Sequence, residues 1–266
     1  MTSVGFIGAG NMGFAIINGI VGTDLCDSVQ LYAYDPNASM LERLFDFGVI
    51  ACDTEEELAE SCDYIFLAVK PQQLDEVLAA VKPAVDGSKV IISICAGITA
   101  EYIQSRTLPD AKVVPVMPNT PLLLGEGASA MAKIPAVSEE EFEFVKNIFA
   151  SCGKVAVVPE NKMKEIIAVN GSSPAFIYLF AKAFVEYASA EGIDANAAKE
   201  LFAQSLIGSA KMMTDSGHTI DELIKMVSSP GGTTLAGLKE LYDGDLEGIV
   251  KKACESCTRR AYELSE

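Results

Sequence analysis

The stretch that most constrains this chain is Val4-Gly5-Phe6-Ile7-Gly8-Ala9-Gly10-Asn11-Met12-Gly13. A short apolar run ends in Gly-x-Gly-x-x-Gly, and Phe14, Ile16, Ile17 and Ile20 follow at helical spacing. That order predicts a strand, a tight turn and the first turn of a helix. Gly8 permits the turn, Gly10 lets a pyrophosphate approach the backbone, and Gly13 lets the helix pack closely on the strand. With Ala9, Asn11 and Met12, these residues carry the N–H groups of the helix start, where the positive dipole end favours a dinucleotide diphosphate. The motif alone also occurs as a plain glycine-rich turn. The strand before it and the helix after it favour the dinucleotide.

The rest of the first half supports that reading, because short β-type runs alternate with helical patterns. Strands are expected at 4–7, 30–34, 64–69, 90–94, 112–116 and 155–158. Helices are expected at 12–20, 40–45, 55–60, 74–81, 100–106 and 139–150. Such alternation predicts an α/β fold, a doubly wound parallel sheet with helices on its faces. After about Pro159 the pattern becomes helical throughout. Phe176, Leu179, Phe180, Ala183, Phe184 and Tyr187 repeat at 3.6-residue spacing, as do Ala198, Leu201, Phe202, Leu206 and Met213. Both faces look too wide for one small helical domain to bury. The expected division is therefore residues 1–159 for dinucleotide binding and 160–266 for an all-helical dimerisation and substrate-binding domain. The competing possibility is that the first domain covers those faces within one subunit.

Composition narrows the function. Twenty basic and 37 acidic residues give a net charge of −17, which argues against nucleic acid and anionic membrane as partners. Any anionic substrate must then be captured locally, against the overall field. Met1-Thr2-Ser3 leads into the first strand without the pattern of a signal peptide, and the uncharged run 166–181 is too short and too interrupted to span a membrane. A cytoplasmic protein is expected. The seven cysteines lack metal-site spacing and suit reduced thiols packed as small hydrophobes. With His218 as the single histidine, histidine-based zinc sites and Ser-His or Cys-His hydrolase chemistry drop out. No metal is expected.

The remaining candidates sit where strands end. Asp35, at the tip of the second strand, suits the adenosine ribose 2′-hydroxyl and repels a 2′-phosphate, favouring NADH over NADPH; Asp35-Pro36-Asn37 equally suits a simple turn. Ala68-Val69-Lys70-Pro71 closes a buried strand, with Ala68 small enough for close backbone approach and Pro71 stopping the strand. Lys70 either meets a phosphate or points to solvent. Ala96 and Gly97 follow the next strand in the same way. Met117-Pro118-Asn119-Thr120-Pro121 makes a rigid polar loop that either aims Asn119 at a nicotinamide carboxamide or is a structural turn. Late in the chain, Ser229-Pro230-Gly231-Gly232-Thr233-Thr234 precedes a helical pattern. Its successive N–H groups suit a carboxylate without any arginine, or the stretch is an ordinary helix cap. Gly171-Ser172-Ser173-Pro174 opens a helix similarly and reads as substrate-facing or as linker and cap.

Taken in order, Phe6 to Gly13, Ala68 to Pro71, Met117 to Pro121, Gly171 to Ala175 and Ser229 to Thr234 resemble the pyrroline-5-carboxylate reductases from end to end. The resemblance implies an N-terminal Rossmann domain and a helical C-terminal dimerisation domain, with dimers in some members assembled into decamers. It implies reduction of the cyclic imine Δ1-pyrroline-5-carboxylate to L-proline with NADH or NADPH, the last step of proline synthesis. Carried over by position, Thr234 would hydrogen-bond the substrate ring nitrogen, while Gly232 and Thr233, with Ser229 nearby, would hold the carboxylate. Two departures stand out. Pro115 occupies a position where many members have arginine, and His218 lies one residue off the usual histidine, so it receives no role. Two competing readings remain. One is a β-hydroxyacid dehydrogenase using Lys162 or Lys164, although that family lacks the Pro-Gly-Gly-Thr-Thr loop. The other is a non-catalytic dinucleotide-binding regulator.

Overall fold

The computed structural model describes residues 1–264. By internal contacts it divides into two units, Met1–Ser172 with the chain from Ser256 onward, and Ser173–Glu255.

The first unit is built on eight strands: β1 (Thr2–Ile7), β2 (Val29–Tyr34), β3 (Ile50–Ala51), β4 (Tyr64–Leu67), β5 (Val90–Ser93), β6 (Lys112–Met117), β7 (Gly127–Met131) and β8 (Gly153–Val157). Their order is β3-β2-β1-β4-β5-β6-β7-β8. Every pairing is parallel except β6 with β7, which run antiparallel through Val116↔Met131 and Met117↔Ala130. Six helices accompany the sheet: α1 (Asn11–Val21), α2 (Ala38–Glu42), α3 (Glu55–Ser61), α4 (Leu74–Val81), α5 (Ala100–Arg106) and α6 (Glu139–Ala150). Helices on both faces explain why Ile65, Phe66 and Leu67, and likewise Val90 to Ser93, are buried without alternation. The centre of the core is aromatic, with Phe6 stacked on Phe66 at 4.4 Å between centroids and Phe149 6.0 Å beyond.

The doubly wound parallel sheet expected from the sequence is thus present, with local differences. The fourth strand stops at Leu67 because its partner stops at Ile7, and Ala68 leaves the sheet after one last bond from its N–H to the Ile7 carbonyl (2.8 Å). The helix expected at 40–45 is only Ala38–Glu42, followed by a 3₁₀ turn at Phe45–Phe47. β3 and β7 are additional strands.

The second unit holds most of the remaining helices: α7 (Ser173–Ala190), α8 (Ala195–Asp215), α9 (Ile220–Met226), α10 (Thr233–Asp243) and the first part of α11 (Leu246–Glu263). No strand occurs in it. α7 and α8 join through Phe184 stacked on Phe202 (4.3 Å) with Phe180 edge-on to Phe184. Leu179, Tyr187 and Leu201 on these helices are 67–71% exposed in the single chain. The units divide at Ser172, later than the expected 159, because 160–171 packs with the sheet and the end of α11 returns to it. No described helix is long and apolar enough to cross a membrane.

Candidate active site

Parallel strands place all their carboxyl ends on one edge, and the order reverses direction between β1 and β4, where doubly wound sheets bind ligands. Along that edge lie, in spatial order, Asp35 after β2, the Gly8–Gly13 turn after β1, Ala68–Pro71 after β4, Ala96–Gly97 after β5 and Asn119 after β6.

The glycine turn has the geometry its sequence demands. Gly8 takes φ +100°, and a Cβ there would stand 2.6 Å from the Ala68 carbonyl oxygen. A Cβ on Gly13 would stand 2.3 Å from the Gly8 carbonyl oxygen, so α1 can lie this close to the turn only without a side chain. Around Gly10 nothing lies within 4 Å of that position, leaving the backbone open. Gly10 is also the N-cap of α1, so no side chain caps the helix, and the first turn holds no acidic residue. Five other helix starts are filled instead. Thr54, Thr99, Ser138, Asp194 and Thr219 cap α3, α5, α6, α8 and α9, with acids in the first turn of α3, α5, α6 and α9. A helix start with uncapped N–H groups, an open approach and no competing carboxylate fits a diphosphate.

Asp35 is held from two sides. Its Oδ2 accepts the Ala9 N–H at 2.8 Å and its Oδ1 accepts the Asn37 N–H at 2.9 Å. The carboxylate therefore ties the glycine turn to the loop after β2 and serves a turn at the same time. Burial, together with the neighbouring Glu55 and Asp35 carboxylates, holds the Tyr34 phenol above its ordinary value, which marks this tip as an acidic neighbourhood.

Further along, Val69 and Ala68 are half-buried, while Lys70 is exposed ahead of a short turn begun by Pro71. Cys95 Sγ lies 3.4 Å from the Val69 carbonyl oxygen, and burial pushes its thiol up to about 11. Burial likewise pushes Cys52 up to about 11 and Cys62 up to about 12; these three, like the other four, are free thiols. Neutral thiols of this kind are poor nucleophiles. Ala96 and Gly97 form the turn after β5, with Gly97 at φ +81°. Asn119 is 8% exposed and its amide is committed within the protein: Oδ1 accepts the Ala128 N–H at 2.9 Å and Nδ2 donates to the Asn170 carbonyl at 3.1 Å. Pro115 lines a cavity of about 250 Å³ with Ser93, Cys95, Met117, Lys164 and Tyr262.

The second candidate lies in the helical unit. After α9, Gly231 takes φ +73° and the Gly232 N–H donates to the Ser229 carbonyl at 2.9 Å. A Cβ on Gly232 would stand 2.6 Å from Ser229 Oγ. Gly232 is the N-cap of α10, with no side-chain cap and no acid in the first turn, and Thr233 and Thr234 are its exposed first residues. An ordinary serine or threonine cap is thus not what the loop provides; it leaves bare N–H groups, as at α1. His218 lies before α9 with Nδ1 3.7 Å from Glu222 Oε2.

Comparison with known proteins decides the family. Residues 160–264 match the family model for pyrroline-5-carboxylate reductase dimerisation, and residues 3–97 match that for NADP oxidoreductase, coenzyme F420-dependent. The Escherichia coli pyrroline-5-carboxylate reductase is 33% identical over 264 residues, covering 99% of this chain and 98% of that one. The chain belongs to the pyrroline-5-carboxylate reductase family. Solved structures agree. The Plasmodium falciparum pyrroline carboxylate reductase with NADP bound superposes with a TM-score of 0.89 at 30% identity, covering 100% of this chain and 98% of that one. A pyrroline-5-carboxylate reductase from Coxiella burnetii gives 0.91 at 28% identity, covering 100% and 99%. Within this family member, one residue to which the sequence alone gives no role stands out. Asn170 bonds to the end of β6 and the start of β7; its place where an apolar run gives way to Asn-Gly-Ser-Ser was its only signal.

Proposed function

We propose that this protein reduces Δ1-pyrroline-5-carboxylate to L-proline with NADH or NADPH, as the final step of proline synthesis. The observation that carries the reading is the pair of bare helix starts, one in each unit, in a chain whose relatives along its whole length are pyrroline-5-carboxylate reductases. When bound, the dinucleotide supplies a hydride equivalent at nicotinamide C4, and a protonated ring imine is electrophilic enough to accept it.

The chain's own residues bind and orient. Gly8, Ala9, Gly10, Asn11, Met12 and Gly13 hold the diphosphate, Asp35 the adenosine ribose, and Ala68 to Pro71 with Ala96 and Gly97 the remainder of the dinucleotide. Asn119 fixes the loop beside the nicotinamide. Gly232 and Thr233 N–H groups hold the substrate carboxylate with Ser229 nearby, and the Thr234 hydroxyl accepts the N–H of the iminium and steadies that proton. No side chain needs to deliver a proton to the ring carbon, so positioning carries most of the catalysis, for which oriented groups reach effective molarities of roughly 10⁵–10⁸ M. We assign dimerisation and substrate binding to residues 160–266, although 160–172 and the end of α11 belong to the sheet's compact unit. The exposed apolar faces of α7 and α8 support a homodimer, and we extend this to a decamer built from five such dimers. Free, high-pKa cysteines suit the reducing cytoplasm.

The test is spectrophotometric: oxidation of NADH and NADPH with pyrroline-5-carboxylate, beside reduction of NAD+ and NADP+ with a 3-hydroxy acid. Turnover on the imine supports the reading, and turnover on the hydroxy acid alone would make the protein a β-hydroxyacid dehydrogenase. Dinucleotide binding with no turnover would make it a regulator. Thr234→Ala is expected to lower kcat by about 10-fold, the worth of roughly one hydrogen bond to a charged group, while dinucleotide affinity stays as it was. Full activity in that variant removes Thr234 from the mechanism.

A further inference from the structure

Ile167–Gly171 is a turn of π-helix, closed by the Ser172 N–H donating to the Ile167 carbonyl at 2.8 Å. A turn this wide shifts one residue out of α-helical register, and such turns recur where a side chain must be aimed. The residue aimed here is Asn170. Its Nδ2 donates to the Met117 carbonyl at 2.6 Å and to the Ala128 carbonyl at 2.9 Å. Its backbone carbonyl accepts from Asn119 Nδ2 at 3.1 Å, and Asn119 Oδ1 in turn accepts the Ala128 N–H at 2.9 Å. Two asparagines thus join the end of β6, the start of β7 and the π-turn. Packing reinforces the joint, since a Cβ on Gly171 would stand 2.5 Å from Met117 Cε.

The arrangement has a cost. Asn170 Oδ1 is buried without a hydrogen-bond partner, a situation worth on the order of 1–3 kcal/mol against folding. A chain that needed only to close a loop could use serine or a water there. Among short side chains asparagine alone presents two N–H donors from one uncharged atom to two carbonyls; serine offers one and an ionised aspartate none.

We propose that Asn170 is a positioning residue for hydride transfer, setting the backbone of Met117–Asn119 on which the nicotinamide end of the dinucleotide rests. The proposal depends on the reductase reading above. Hydride transfer requires the two carbons in near-contact, and a misplacement of about 1 Å costs on the order of 10²-fold. The adenosine and diphosphate end meets the chain at Gly8–Gly13 and Asp35, none of which Asn170 touches, so the two ends of the cofactor respond separately to its loss.

The experiment uses the full chain as wild type, Asn170→Ser and Asn170→Asp. Steady-state rates with pyrroline-5-carboxylate are measured beside the deuterium isotope effect for dinucleotide labelled at the transferred position, and ADP-ribose affinity is measured by calorimetry. Asn170→Ser should lower kcat by about 10-fold and raise the isotope effect on kcat, because a displaced nicotinamide makes the chemical step slower, with ADP-ribose affinity within about two-fold of wild type. Asn170→Asp should lower kcat further, since it faces two carbonyls with a carboxylate. The serine variant keeps the test alive if the aspartate variant fails to fold. An unchanged kcat and isotope effect in Asn170→Ser overturns the proposal, and so does a parallel loss of ADP-ribose affinity, which marks general damage to the fold. A wild-type protein that binds ADP-ribose but does not turn over pyrroline-5-carboxylate overturns the reductase reading itself, and the proposal with it.

Discussion

Replacing Asp35 with serine tests the cofactor site most directly. Its carboxylate does two things at once: it holds the Ala9 and Asn37 N–H groups at 2.8 and 2.9 Å, and it places a negative charge where an adenosine ribose docks in a sheet of this kind. The two effects separate by comparing cofactors. Lost bonds to Ala9 and Asn37 weaken NADH and NADPH alike, by ~1.5–3 kcal/mol if the turn cannot re-form them. The lost charge matters only for NADPH. At about 5 Å and an effective dielectric constant of about 40, two unit charges interact by ~1.7 kcal/mol. A phosphate of roughly −1.5 to −2 charge raises that, and salt with a Debye length of about 8 Å lowers it by about half over this distance, leaving ~1.3–1.8 kcal/mol. The ratio of kcat/KM for NADPH to that for NADH should therefore rise roughly 10- to 20-fold in Asp35→Ser, measured by dinucleotide oxidation at fixed ionic strength, while the NADH value itself falls. A fall in NADH efficiency with an unchanged ratio would reduce Asp35 to a loop strap. No change in either would make it a plain turn residue and refute the reasoning.

Two further outcomes follow from packing and charge in the first unit. A Cβ on Gly19 of α1 would stand 2.1 Å from the Sγ of buried Cys152, so Gly19→Ala should lower Tm by about 2–10 °C through overpacking of ~1–3 kcal/mol; calorimetry of Gly19→Ala/Cys152→Ala should recover part of that loss, and no recovery would mean that the contact is not the cause. Burial works to raise the Glu141 carboxyl, but the Lys112 ammonium and the N–H and hydroxyl of Ser138 outweigh it and hold it below its ordinary 4.5. A lowered folded-state pKa contributes stability above about pH 4.5 that is lost as pH falls through the folded value, so the acid limb of a Tm–pH curve should be shallower in Glu141→Gln than in wild type.

Much of this fold is legible in the sequence where one residue type answers one physical demand. Gly8 and Gly13 could be assigned because a positive φ and a backbone contact admit nothing larger, and the central strands because burial on both faces requires unbroken apolar runs. β7 was not legible for the converse reason. Its Gly-Ala-Ser-Ala-Met carries neither branching nor alternation; small residues suit its crowded place, where a Cβ on Gly127 would stand 2.8 Å from Leu122 Cβ and 2.9 Å from the Cys152 carbonyl oxygen. The change of pattern after Pro159 is legible because strands cease there, whereas the compact unit runs on to Ser172 through contacts of Asn170 and Gly171 that have no periodicity to read. Asn119 shows the same limit within the candidate site, since its residue type announces hydrogen bonding without saying to what.

The helix starts show how an acidic chain can recognise anions. With a net charge of −17, the overall field opposes a diphosphate and a carboxylate alike, so each must be captured locally. Backbone N–H groups are indifferent to that surplus, because their dipoles act within the first turn of a helix. They bind only if nothing in the protein reaches them first. Side chains cap α3, α5, α6, α8 and α9, and acids occupy most of those first turns; α1 and α10 begin on glycine with neither. On the proposed reading the glycine start is the signal, and it stands in the sequence as Gly10 and Gly232, where five other helices begin on threonine, serine or aspartate.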